Sequence, residues 1–535
     1  MTSIAATVLV AALLGEEQDA KAPPSPAEAC AALARLALPQ ASVASARIVS
    51  GDFLPPAGLA PWLAGDPALY KTLPGFCRVA LVAAPSAGSA IEIEVWMPAE
   101  GWNGRFRGQG NGGFAGEIHY RAMATAVRQG YATAGTNTGH SGVATDASWA
   151  LGHPEKVADF GYRAIHAMTE HAKSAIRGFY GRDARRAYFV GCSNGGRQAL
   201  MEVQRFPADY DGVLAGAPAN NWSRMLAKGL ADAQATTGDA YIPPSKIPAL
   251  ARAVAAACDA ADGLTDDILG DPPSCRFDPA SLSCRGADSE SCLTAPQVAA
   301  LRAVYEGPRD SKAVRIFPGI VPGAETGPGG WGLWVTGPAQ GKSLTFAFQS
   351  GYFANMVYEK ADWDYRTANV EQALAASQEK TRHLLDATDP DLSAFKARGG
   401  KLVVYHGWND AAISAWNTLD YHQSVVARMG RQETEAFVRL YMVPGMQHCD
   451  GGTGPDSFGQ HGNGPPDDPR RNVLLALEKW VEEGKAPSAL LGTRNDDGDP
   501  ARGTRLRRPL CPHPEVARYK GKGDPTDAAS FACAP

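Results

Sequence analysis

Short apolar runs alternate along the chain with stretches of helical spacing. Residues 91–96 alternate apolar and polar positions and predict a half-buried strand, while 129–135, 186–190, 212–218, 401–405 and 436–443 are nearly continuous apolar runs and predict buried strands. Between them, 157–180 places Phe160, Ile165, Met168 and Ile176 at roughly helical spacing, 196–203 is rich in helix formers, and 472–483 is amphipathic. Strands alternating with helices predict an α/β fold whose mostly parallel sheet is covered on both faces. Residues 23–90 read as loop-rich apart from a helix over 26–36.

The pattern changes between about 222 and 392. Four cysteines fall within Cys258–Cys292, followed by Trp331, Trp334, Phe346, Phe348, Tyr352 and Phe353. The sheet pattern resumes only at Lys401, so this region is expected to be an inserted lid domain (222–392), with 23–221 and 393–535 forming the catalytic domain. Its aromatic residues serve either as the core of the insertion or as the walls of a pocket.

With 535 residues, a large core plus a second unit is expected, and 44% hydrophobic composition excludes disorder. A formal charge of −5 with interspersed signs gives no basic face for nucleic acid. Residues 4–14 are apolar, which marks 1–22 as a signal-like segment, though no Lys or Arg precedes the run. No other run is apolar and long enough to span a bilayer. The ten cysteines are even in number, spread out and without a CxxC pair, a pattern that fits disulfides and a secreted or periplasmic location better than a zinc ribbon.

Chemistry first shows at Gly191-Cys192-Ser193-Asn194-Gly195, which joins the strand 186–190 to the helix beginning at Gly196. Strand, G-x-S-x-G and helix together describe a nucleophile elbow. In that architecture an acid and then a histidine follow on loops after later strands; Asp410 and His448 hold those places. His406, His422 and His461 also compete for the role of base, and Asp420 or Asp450 for that of acid. His448 gains from its neighbour: Cys449 beside the base and Cys192 beside the nucleophile are brought together if the triad forms, so a disulfide between them becomes possible. The glycine-rich loop 108–116 lacks the Lys-Ser/Thr ending of a phosphate loop; in a hydrolase such a loop supplies one N–H of an oxyanion hole.

These residues resemble the tannase and feruloyl esterase family. Cys192-Ser193, Asp410 and His448-Cys449 match its CS-D-HC motif, with support from the segments 110–116, 160–163 and 258–266. The resemblance implies an α/β-hydrolase core in which Ser193 is the nucleophile, His448 the base and Asp410 its orienting acid. It also implies that Asn194 and either Gly112 or Gly113 form the oxyanion hole, and it places His406 near substrate, although a hydrogen bond that shapes the Asp410 loop fits that residue equally. Further disulfides are implied for Cys30 with Cys77, Cys258 with Cys275, Cys284 with Cys292, and Cys511 with Cys533. The acidic loop with Asp259, Asp262 and Asp266 suits an oxygen-seeking cation. The resemblance implies a structural Ca2+ there, with the carbonyls of Leu264 and Ile268 as further ligands, and no organic cofactor. The expected partner is a small aromatic ester of feruloyl, galloyl or mono(2-hydroxyethyl) terephthalate type; an unrelated ester, amide or lactone as substrate, or an inactive binding scaffold, are the competing readings.

Overall fold

A computed structural model describes residues 2, 24–51, 53–496 and 502–535; nearly all of the signal-like segment 1–22 lies outside them. The six expected strands and three unexpected ones, β1, β2 and β4, assemble into one sheet of nine: β1 (Ala41–Val49), β2 (Phe76–Ala83), β3 (Ile91–Pro98), β4 (Arg105–Gln109), β5 (Ala132–Thr136), β6 (Arg186–Cys192), β7 (Gly212–Gly216), β8 (Lys401–Gly407) and β9 (Val438–Val443). Their spatial order is β1-β2-β3-β5-β4-β6-β7-β8-β9. From β5 to β9 every neighbouring pair is parallel, while β1, β2, β3 and β5 pair antiparallel.

The parallel part is buried on both faces, which is why its strands read as continuous apolar runs. Val213 and Ala215 of β7, with Leu402 and Val404 of β8, face one side, where helix Ala164–Tyr180 contributes Ile165, Met168 and Ile176. Leu214, Val403 and Tyr405 point the other way, onto Leu474, Leu477 and Trp480 of helix Val473–Glu483. Successive strand residues thus feed two separate cores, as the two-residue period of a strand requires.

The loop-rich expectation for 23–90 is corrected by β1 and β2. β1 is an edge strand whose alternation is blunted by small residues and broken by a register shift between Val43 and Ser45. Only its long-range pairing with β2 makes it a strand, and local pattern does not carry that information. Beyond β9, β10 (Leu490–Asn495) pairs with β11 (Thr504–Leu510), and β12 (Val516–Tyr519) with β13 (Phe531–Ala534), in two small sheets.

Between β7 and β8 the described chain is helical, with helices Trp222–Ala235, Ile247–Cys258, Ala295–Glu306, Leu344–Tyr352 and Val370–Leu385. Trp331, Tyr352 and Phe353 are core residues of this insertion, whereas Trp334 and Phe348 stay partly exposed. Five disulfides join Cys30–Cys77, Cys192–Cys449, Cys258–Cys275, Cys284–Cys292 and Cys511–Cys533, the pairs implied by the resemblance, and no cysteine is free. Among the described residues, no helix is long and apolar enough to cross a membrane.

Candidate active site

At the end of β6 the chain turns sharply into helix Asn194–Arg205, and Ser193 occupies the turn with φ +66° and ψ −123°. A residue with a side chain avoids positive φ because its Cβ crowds the backbone, at a cost of roughly 1–3 kcal/mol. The surroundings hold it there: Ser193 N–H donates to the Gly216 carbonyl (3.0 Å), and its own carbonyl accepts from Arg197 N–H and Ala219 N–H (both 3.1 Å). Gly196 lets the helix approach the sheet this closely, since a Cβ there would lie 2.2 Å from the Gly216 carbonyl oxygen.

Asp410 follows β8 and His448 follows β9. His448 Nδ1–H donates to Asp410 Oδ2 over 2.7 Å. The Asp410 side chain is fully buried, and its other oxygen accepts from the N–H groups of Ala412 (2.8 Å) and Ile413 (2.9 Å). Burial works to raise its pKa, but the charge of His448 and the hydrogen bonds from His406 and His448 outweigh it and hold the carboxyl well below the usual range. The Cys192–Cys449 bridge spans a sequence separation of 257 and ties the residue before Ser193 to the residue after His448. Closing so long a loop is worth about 5 kcal/mol in the chain-entropy account.

Ser193, Asn194, Gly113 and His448 all border one cavity of about 700 Å³ that opens to solvent. Gly113, not Gly112, reaches it; Gly112 instead packs against Trp62. Gly113 has φ +54°, and a Cβ there would fall 2.3 Å from the Ala144 carbonyl oxygen, so glycine is required. Among the described residues the N–H groups of Gly113 and Asn194 have no acceptor within the chain, which leaves both available to an oxyanion.

The other walls come from the insertion: Trp222, Met225, Leu226, Phe317, Ile320, Trp334 and Phe348. Trp334 stands edge-on to His448 with ring centroids 5.2 Å apart. One charged pair interrupts this apolar lining. Lys228 and Asp232, one helical turn apart, form an ion pair with side-chain exposures of 6% and 9%. Neither stands out in the sequence, because an i,i+4 Lys-Asp pair normally marks a solvated helix face; only the tertiary fold turns this one inward.

The expectation that His406 lies near substrate is corrected. The residue is fully buried behind Asp410, with Nε2–H directed at Asp410 Oδ2 (3.1 Å) and the Ile413 carbonyl (3.1 Å), and Nδ1 facing the Thr418 hydroxyl (2.7 Å). It shapes the acid loop and does not border the cavity. The rival residues for base and acid also lie away from it: His461 pairs with Asp450 (3.1 Å), Asp420 with Arg315 (2.8 Å), and His422 stands beside His513.

In the acidic loop, Asp259 Oδ2 accepts from Asp267 N–H (3.0 Å), but Oδ1 is buried without a partner. Asp262 accepts from the N–H groups of Leu264 (3.0 Å) and Gly270 (2.8 Å). Burial first, then the charges of Asp266 and Asp267, push the Asp259 carboxyl up. The bare Oδ1 of Asp259 therefore fits a hard cation, while both oxygens of Asp262 already accept an N–H. Asp266 fits less well, because Arg508 of β11 already holds its Oδ2 (2.8 Å). Side chains that do converge in threes are Cys284, Asp288 and Cys292, whose sulfurs are bridged, and His166, Glu202 and Asp209.

Replacing His406 with Phe removes one of two imidazole donors to Asp410. Because the folded carboxyl sits below its unfolded pKa of about 4, the stability it contributes is full above that value and is lost as pH falls toward the folded pKa. Thermal unfolding should show the variant about 1.5–3 kcal/mol less stable at pH 7, with the gap to wild type narrowing below about pH 4; a gap independent of pH would contradict this linkage.

The family model described as tannase and feruloyl esterase matches residues 77–534. An uncharacterized esterase of Xanthomonas campestris pv. campestris is 40% identical over 538 residues, covering 95% of this chain and 92% of that protein. A probable feruloyl esterase B-2 of Aspergillus terreus is 34% identical over 468 residues, covering 85% and 86%. The crystal structure of feruloyl esterase B from Aspergillus oryzae superposes with a TM-score of 0.85 at 31% identity, covering 95% of this chain and all of that one. By sequence and by fold, this chain is an ester hydrolase belonging to the tannase and feruloyl esterase family.

Proposed function

We propose that the protein hydrolyses esters of aromatic acids through an acyl-enzyme on Ser193. The observation that carries this reading is the 2.7 Å hydrogen bond from His448 to a buried Asp410, on a loop covalently tied to the strained elbow of Ser193. His448 takes the Ser193 hydroxyl proton as Oγ attacks the ester carbonyl. The oxyanion is held by the N–H groups of Asn194 and Gly113, and the alcohol leaves with the proton returned by His448. Water, deprotonated by the same imidazole, then releases the acid. Asp410 keeps the imidazole in the tautomer that presents Nε2 as the base.

Residues 222–392 act as a lid in this reading and supply the acid-side pocket. Its aromatic walls suit a planar acyl group, and the Lys228–Asp232 pair offers donors and acceptors to a hydroxyl or carboxylate on the ring, as in feruloyl, galloyl and terephthaloyl esters. Five disulfides support a secreted or periplasmic location. The acidic loop is read as a structural Ca2+ site in which Asp259 and Asp262, with the carbonyls of Leu264 and Ile268, would hold the ion; bound there, Ca2+ supplies positive charge to the lone buried oxygen of Asp259 and takes no part in ester chemistry.

Three measurements test these assignments. Ser193→Ala should lower kcat on p-nitrophenyl esters by about 10⁶-fold and abolish the p-nitrophenol burst; a retained burst refutes the nucleophile. The double variant Lys228→Met, Asp232→Leu removes both pocket charges without stranding one, and should cut the preference for methyl ferulate over methyl cinnamate by about 10-fold or more in kcat/KM. An unchanged preference means the pair does not read the ring. Adding Ca2+ to chelator-treated protein should raise Tm in wild type but not in Asp259→Asn, and equal shifts in both would move the ion away from this loop.

A further inference from the structure

Away from the cavity, His166, Glu202 and Asp209 bring their ligand atoms within 4.8 Å of one another. Glu202 is 1% exposed and neither of its carboxylate oxygens has a hydrogen-bond partner. Asp209, also buried, accepts from His166 Nδ1–H over 2.7 Å, and Lys173 Nζ stands 3.7 Å from its other oxygen. The His166 ring is stacked on Phe206 with centroids 3.9 Å apart, while more than a third of its side chain meets solvent. Lys173 reaches Asp209 but leaves Glu202 unmet. A buried carboxylate with both oxygens empty is costly unless something positive joins it. Burial, followed by the charge of Asp209, pushes the Glu202 carboxyl well above its ordinary range.

We propose that His166 Nδ1, Glu202 and Asp209 form a divalent-cation site of the zinc class, with its remaining position open to water. One imidazole nitrogen and two carboxylates are a donor set that Zn2+ accepts, whereas the nitrogen disfavours Ca2+ and Mg2+. Binding at Nδ1 requires the imidazole tautomer protonated at Nε2, and any proton held between Glu202 and Asp209 leaves to solvent as the ion takes its place against both carboxylates. The three ligands come from helix Ala164–Tyr180, from the last turn of helix Asn194–Arg205, and from the loop before β7. Glu202 lies about 12 Å along its helix from Asn194 at 1.5 Å per residue. The ion therefore pins the far end of the helix that begins at the nucleophile, a positioning and stabilising role rather than a chemical one. A cation also suits a helix C-terminus electrostatically.

The rival occupant is a single proton shared by Glu202 and Asp209. Isothermal titration of Zn2+ into chelator-treated protein separates the two, with Ca2+ kept in excess to occupy other oxygen sites; no free thiol competes for the metal. The expected result is one Zn2+ per chain and a raised Tm in wild type. Affinity should fall at least about 10-fold in His166→Gln and in Glu202→Gln, the lower bound for losing even an outer partner of a ligand. His166 is partly exposed, so its variant keeps the test valid if Glu202→Gln does not fold. The proposal is overturned if wild type takes up no stoichiometric Zn2+, or if His166→Gln binds as tightly as wild type. A Glu202→Gln protein more stable than a wild type that ignores Zn2+ identifies the shared proton instead.

Discussion

Two loops leaving different strands must meet at one point, and the Cys192–Cys449 bridge is what fixes that meeting. It lies beside Ser193 on one loop and beside His448 on the other. Both loops are strained: Ser193 has φ +66°, and so does Cys449. Strained turns of this kind persist only where the surroundings over-determine them. Here the determinants are hydrogen bonds from β7 and its loop on one side, a covalent bond across the cleft, and the 2.7 Å contact of His448 with Asp410. Asp410 is in turn immobilised by two backbone N–H groups and by His406, so orientation passes from the buried sheet to the cavity-lining imidazole through short, directional contacts.

Apart from the polar β4, the parallel half of the fold is legible because burial on both faces forces continuous apolar strands, and those are visible in a single sequence. The elbow is legible for a related reason: sharp turns between strand and helix restrict residue types, and a cysteine beside both Ser193 and His448 is a long-range constraint written into short motifs. β1 is not legible, because an edge strand of small residues owes its existence to pairing rather than to its own pattern. The place of His406 is hidden for a comparable reason. Four residues separate it from Asp410, and spacing alone does not reveal whether the side chain points toward the cleft or away from it.

The Lys228–Asp232 pair shows the same limit from the other side. On the sequence it is an ordinary helical ion pair. Folded, it sits among Trp222, Met225 and Leu226 in the cavity wall, where a low-dielectric setting strengthens its hold on any polar group that enters. The acidic loop and tail interlock likewise: Arg508 of β11 neutralises Asp266 and joins the insertion to the C-terminal sheets.

Placing the entire helical insertion between β7 and β8 divides labour along the chain. Every group given a part in handling the proton or the oxyanion hangs from the sheet, while most of the apolar surface of the cavity comes from the insertion. On the proposed reading, in which the cavity takes the acyl group, changes in the insertion remodel the acid accepted while leaving the reaction itself untouched. A lineage built this way can diversify its diet by editing one contiguous stretch of gene.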